Sequence, residues 1–133
     1  GMTNLTRLRL LDLNIDEIPP TIGNMKRLDE LNLLNNRIQS VPAELGELPM
    51  LTYLSLANNQ LKVFPKEICN SKLLYYLAVY GNPFITVPDE IENLKKLEFL
   101  ACWETGLNEK EQEKLERLLP ANTKMNFTGE GIH

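Results

Sequence analysis

The sequence predicts a stacked repeat fold of the α/β class, and three observations carry that expectation. Apolar residues recur along the 133-residue chain with a period of 23. Inside each period, a stretch such as Leu28-Asp29-Glu30-Leu31-Asn32-Leu33 ends in apolar/polar alternation, the pattern of a short strand with one buried face. Further on, an apolar residue followed by proline starts a return segment, because proline fixes φ near −65° and disfavours helix in the residue before it.

The strand columns come first. Units begin at residues 5, 28, 51, 74 and 97, with Leu5, Leu28, Leu51, Leu74 and Leu97. Three residues on stand Leu8, Leu31, Leu54, Leu77 and Leu100, and two more bring Leu10, Leu33, Leu56, Val79 and Cys102. A single unit has too few apolar side chains for a core, so neighbours must stack to bury a continuous one.

Past the strand the next column reads Leu13, Asn36, Asn59, Asn82 and Thr105. Backbone groups buried at this bend need partners, and an Asn amide both donates and accepts. The asparagines are therefore expected as an internal ladder. Ile18, Val41, Phe64 and Val87 then precede Pro19, Pro42, Pro65 and Pro88, and phrases such as Pro42-Ala43-Glu44-Leu45 suit a short helical or 3₁₀ turn.

The ends differ from the middle. Leu13 replaces asparagine in the first unit, and no dedicated N-terminal cap is visible. At the other end a helical cap is expected over 108–119: Asn108 with Glu111 fits a capping box, Leu115, Leu118 and Leu119 form an apolar stripe, and Pro120 stops the helix. A short edge strand is expected over 123–127, with Met125 and Phe127 facing inward.

The unit LxxLxLxxNxLxx(I/V)PxxIxxL resembles the 23-residue class of leucine-rich repeat, of the Ras-suppressor-like and bacterial type, from residue 5 to about 107. The resemblance implies one domain over residues 1–133, a right-handed curved solenoid. Its parallel sheet would line the concave side and short helical or 3₁₀ segments the convex side. The wording Leu118-Leu119-Pro120 and Met125-Asn126-Phe127 is similar to the ends of small bacterial proteins of this kind, so a bacterial source is expected.

Composition narrows the function. The chain holds 25 leucines and 14 asparagines, and hydrophobic content of 43% with 24% charged residues excludes a disordered chain. The longest apolar run, Leu73 to Tyr80, is far short of the roughly 20 residues a membrane helix needs. A net charge of −4 gives no basic field for nucleic acid. Gly1 ahead of Met2 reads as a tag remnant before an initiator methionine with no signal segment behind it, and a cytoplasmic location is expected.

Chemistry is sparse. The one histidine, His133, ends the chain, and Ser40, Ser55 and Ser71 lack a nucleophile-elbow context. Cys69 and Cys102 have no metal spacing, and Cys102 replaces a core leucine. No enzyme, cofactor or metal site is expected.

What remains is the concave face. Residues alternating with the buried leucines point outward there. Of the nine aromatic residues, Tyr53, Tyr76, Tyr80, Phe99 and Trp103 fall on these positions. Strands about 4.8 Å apart would align Tyr53, Tyr76 and Phe99 in one column and Tyr80 and Trp103 in another, with Ser55, Ala78 and Ala101 leaving a shallow trough between. Arg7, Arg9, Glu30 and Arg37 would supply charge at the far end.

An exposed aromatic group of this kind marks an interaction site. The expected role is a non-catalytic module binding a protein or peptide on this face. The rival is a structural or self-associating protein, its rings serving as a cross-strand ladder or its aromatic face or uncapped first repeat pairing with a second copy. A sugar stacked on the rings is a third reading.

Overall fold

Each repeat contributes one three-residue strand to a six-stranded, all-parallel sheet in the computed structural model, which describes residues 2–130. The strands are β1 (Arg7–Arg9), β2 (Glu30–Asn32), β3 (Tyr53–Ser55), β4 (Tyr76–Ala78), β5 (Phe99–Ala101) and β6 (Lys124–Asn126), and they lie in sequence order. The register advances by one repeat at every step, so that Leu8, Leu31, Leu54, Leu77 and Leu100 align. The sheet lines the concave side of a right-handed solenoid.

The convex side is built from 3₁₀ turns, at Pro20–Asn24, Ala43–Glu47, Lys66–Asn70 and Asp89–Asn93. All four follow a proline in extended conformation, which is where a residue with fixed φ and no N–H belongs. Between sheet and turns runs one apolar core, in which Leu31, Leu54, Leu77, Ile68 and Ile91 lose all contact with water.

The asparagine ladder is present and fully bonded. The Asn59 amide nitrogen donates to Leu33 O of the previous repeat at 3.0 Å and to Leu56 O and Ala57 O of its own, while its Oδ1 accepts from Ile38 N. Asn36 reaches Leu10 O at 2.7 Å and Asn82 reaches Leu56 O at 2.9 Å in the same way. Thr105, one repeat later, donates to Cys102 O and accepts from Leu107 N, both in its own repeat, because its hydroxyl is too short to span repeats.

A second column went unread in the sequence. Asp12, Asn35, Asn58, Gly81 and Glu104 all have positive φ, between 51° and 69°. These residues turn each strand into its loop, and Asn, Asp and Gly are the types that tolerate the left-handed region. At Gly81 a Cβ would meet Asn58 Oδ1 at 1.9 Å, so a larger residue there would have to displace the Asn58 side chain.

Beyond the fifth repeat, helix α1 (Glu109–Leu118) covers the end of the core with Leu115 and Leu119. Asn108 caps it, its Oδ1 accepting from Glu111 N at 3.0 Å. The reciprocal half of the expected capping box is absent, because Glu111 Oε1 instead accepts from Val87 N at 3.0 Å. Lys114 Nζ adds a bond to Val87 O and an ion pair to Asp89, so the helix grips the fourth return segment. Against β5, strand β6 aligns Met125 with Leu100.

At the first repeat a single 3₁₀ turn, Met2–Asn4, precedes β1. There Leu5, Leu8, Leu10 and Ile15 remain partly exposed, whereas Leu28, Leu31 and Ile38 are 0% exposed.

Candidate partner-binding face

The aromatic residues sit where strand alternation puts them. Tyr53, Tyr76 and Phe99 occupy the first positions of β3, β4 and β5 and are paired in register, while Tyr80 and Trp103 follow β4 and β5. All five are half-buried on the concave side.

Their contacts form two stacks. The Tyr53 and Tyr76 rings lie parallel, with centroids 4.4 Å apart and planes within 3°. The Tyr80 and Trp103 rings stack at 4.0 Å with planes 12° apart. Strand spacing near 4.8 Å enforces this geometry, since rings on neighbouring strands have little choice but face-to-face contact. Phe99 continues the first column, with Lys124 Nζ 5.5 Å from its ring centroid, a cation–π contact.

The expected trough between the columns is closed. Ser55, Ala78 and Ala101 are 4%, 1% and 2% exposed, because Tyr76, Tyr80, Trp103 and Leu34 pack over the alanines as a small second apolar cluster. The face is thus a ridged floor of ring edges rather than a cleft.

Trp103 stacks on Tyr80, and Gly129 lies near its five-membered ring, where an added Cβ would stand 3.2 Å from Cδ1 and Cγ. Gly129 gave no signal in the sequence, since a turn after the last strand carries no repeat register. That turn is held by Asn126 Oδ1, which accepts from Gly129 N at 2.9 Å.

Burial pushes the Tyr76 phenol up to about 12, with the adjacent Tyr53 phenol adding to the effect. Tyr53 and Tyr80 are raised mainly by burial as well. At neutral pH all three hydroxyls are protonated and can donate to a partner's carbonyl or carboxylate.

The charged candidates separate. Arg7 and Arg9 flank Leu8 on β1, and Glu30 lies beside them on β2. Arg9 Nε donates to Glu30 Oε2 at 2.6 Å, so these two spend part of their charge on each other. Arg37 does not join the face. It lies beyond the strand, exposed between the buried Asn36 and Ile38, and its N–H donates to Ile15 O in the loop.

Cys69 and Cys102 are 1% and 2% exposed, and burial raises both thiols to about 12, far from the thiolate form. Among the described residues no group of His, Cys, Asp and Glu is arranged to hold a metal ion, and no helix is long and apolar enough to cross a membrane. His133 lies outside the described residues.

Comparison with known proteins agrees with this architecture. No curated protein matches the sequence. Among solved structures the chain is similar to a leucine-rich repeat protein of Leptospira interrogans, with 31% identity and a TM-score of 0.73 over 94% of this chain and 38% of that one. It therefore spans under half the length of that relative. The functional domain of InlJ from Listeria monocytogenes is similar at 28% identity and a TM-score of 0.68, over 79% of this chain and 22% of that one. The BIR3–SERK2 complex from Arabidopsis thaliana shares the fold, at 24% identity and a TM-score of 0.71 over 92% of this chain and 67% of that one. A family model described as a leucine-rich repeat region matches residues 21–121, and with the 23-residue register on the page the chain belongs to the leucine-rich repeat family.

Proposed function

We propose that the protein is an interaction module that binds a protein or peptide on its concave face, through the exposed edges of Tyr53, Tyr76, Tyr80, Phe99 and Trp103. The observation that carries this reading is the gathering of five of nine aromatic residues into two locked columns on one side of the sheet. Rings held in this way lose little entropy on binding, and their hydroxyls can orient a partner. Arg7 and the Arg9–Glu30 pair would steer charge at the far end of the face. That the Arabidopsis structure sharing this fold is itself a complex is consistent with such a role. We place the chain in the 23-residue, Ras-suppressor-like class, of bacterial source and cytoplasmic. The Leptospira and Listeria relatives support the bacterial part of that placement.

A structural reading is favoured by one observation, the stacking itself. Each pair joins neighbouring repeats and would stabilise the solenoid with no partner. Affinity capture from cells separates the two. Tyr76→Ala with Trp103→Ala should abolish capture, and the fold-preserving pair Tyr53→Phe with Tyr80→Phe should weaken it by removing only hydroxyls. Unchanged capture alongside a lower melting temperature would establish the structural role instead.

A further inference from the structure

Cations and apolar side chains gather on the flank of the solenoid that leads from the 3₁₀ turns into the strands. The residue pairs there are Lys26-Arg27, Pro49-Met50, Lys72-Leu73 and Lys95-Lys96, at the same position of successive repeats. All of them are exposed, Met50 at 52% and Leu73 at 41%. None of the five cations makes an ion pair among the described residues. The chain as a whole carries −4, so this line of cations runs against its net charge.

Two residues further on, Asp29, Thr52, Tyr75 and Glu98 form a row that backbone bonds hold in step. Thr52 O accepts from Tyr75 N at 2.9 Å, and Tyr75 O accepts from Glu98 N at 2.8 Å. Tyr75, itself exposed, and Leu73 wall an open recess of about 570 Å³ together with Lys95 and Lys96. Glu98 is the one acid that lines it. Asp29, further along the row, accepts a hydrogen bond from the Thr52 hydroxyl. Unpaired cations around exposed apolar side chains have the character of an interaction surface.

Charge and order together choose the occupant. In repeat order the pairs read basic, apolar, mixed and basic. A lipid headgroup plane or a nucleic acid backbone presents phosphate throughout, and would meet Pro49, Met50 and Glu98 as well as the cations. A peptide can set acids at both ends and apolar side chains between them. Strands are about 4.8 Å apart, so three steps along the flank span roughly 15 Å, the length of about five extended residues.

We infer that this flank binds a peptide segment whose acidic residues bracket an apolar centre. The acids lie against Lys26 and Arg27 at one end and Lys95 and Lys96 at the other. The apolar side chains rest on Met50, Leu73 and Tyr75. The surface is separate from the two ring stacks of the concave face.

The test is fluorescence polarisation with two labelled peptides that share a Leu-Phe-Leu centre, one set between pairs of glutamates and the other between pairs of lysines. The glutamate peptide should bind about tenfold tighter. Net charge alone would favour the lysine peptide, so this order reports the flank. Lys95→Glu with Lys96→Glu, both exposed, should reverse the preference, and the exposed substitution Leu73→Ser should weaken the glutamate peptide severalfold. Binding should persist in the Tyr76→Ala, Trp103→Ala variant, so failure of the concave-face reading leaves this result intact. Equal affinity for both peptides, no binding, or a glutamate preference that survives the double charge reversal overturns the inference. Tighter binding to phosphatidylserine vesicles than to the glutamate peptide overturns it in favour of a membrane surface.

Discussion

Tyr80 and Trp103 lie face to face at 4.0 Å, and Gly129 sits close to the five-membered ring of the indole. The last turn of the described chain is thereby part of the aromatic face. Gly129 has φ of +77°, and a Cβ there would stand 3.2 Å from the indole, so the ring would have to give by a few tenths of an ångström. Gly129→Ala should cost roughly 1–2 kcal/mol from backbone strain and displacement of the ring. Trp103 is the sole tryptophan, so its emission should shift to the red in the native state. An unshifted spectrum with an unchanged urea midpoint would contradict the seating of this turn on the ring.

Asn59 makes four buried hydrogen bonds to backbone across two repeats. Asn59→Ala leaves Ile38 N unpaired in the core and takes from Leu33 O one of its two amide donors, the other being Asn36. The expected loss is about 2–4 kcal/mol in urea denaturation, larger than the near-neutral change expected for Gln60→Ala on the exposed neighbour.

Glu104 holds the left-handed position that Asn or Asp fills in the first three repeats. Its exposed side chain gains nothing there to offset the strain. Glu104→Asn should therefore stabilise the protein by about 0.5–1 kcal/mol, read as a rise in melting temperature. A fall would mean that Glu104 makes a contact worth more than the strain.

Ser71 stands in the core column of Met25, Leu48 and Leu94, and its hydroxyl has no hydrogen-bond partner. Ser71→Ala removes the unsatisfied group at almost constant shape. Stability should rise by about 1 kcal/mol in the same denaturation assay, and a loss would reveal a hidden partner for the hydroxyl.

The buried thiols predict a pH dependence. Cys69 and Cys102 have ordinary values near 9.0 and are raised to about 12 by burial. The unfolded chain therefore loses these protons first as pH rises. Their contribution to stability is complete below about pH 9 and is lost as pH climbs toward 12. A Cys69→Ala, Cys102→Ala variant should show a shallower decline of urea midpoint between pH 8 and 10.5. In the native protein a thiol reagent at pH 8 should label neither residue until unfolding. Rapid native labelling would show that the thiols are reached by solvent.

Much of this architecture is legible in the sequence because the repeat imposes the same environment 23 residues apart. Leu31, Leu54 and Leu77 share one environment, so three examples identify it. The same holds for Asn36, Asn59 and Asn82, whose amide is the one group able to serve both neighbouring backbones. Even the left-handed column was readable in Asp12, Asn35, Asn58 and Gly81, although Glu104 obscures it. Arg37 was named for its charge and not for its place in the strand alternation, and the structure puts it in the loop after β2.

The repeat, the strand face of each residue and the columns of rings follow from local periodicity, which the chain writes into every unit. Other features depend on contacts between units. Closure of the trough over Ala78 and Ala101 depends on how far neighbouring rings lean. The Arg9–Glu30 pair, the use of Glu111 on Val87 and the approach of Gly129 to Trp103 all join residues about one repeat apart. Their distances are set by stacking geometry and side-chain length together, and neither is a property of any single repeat.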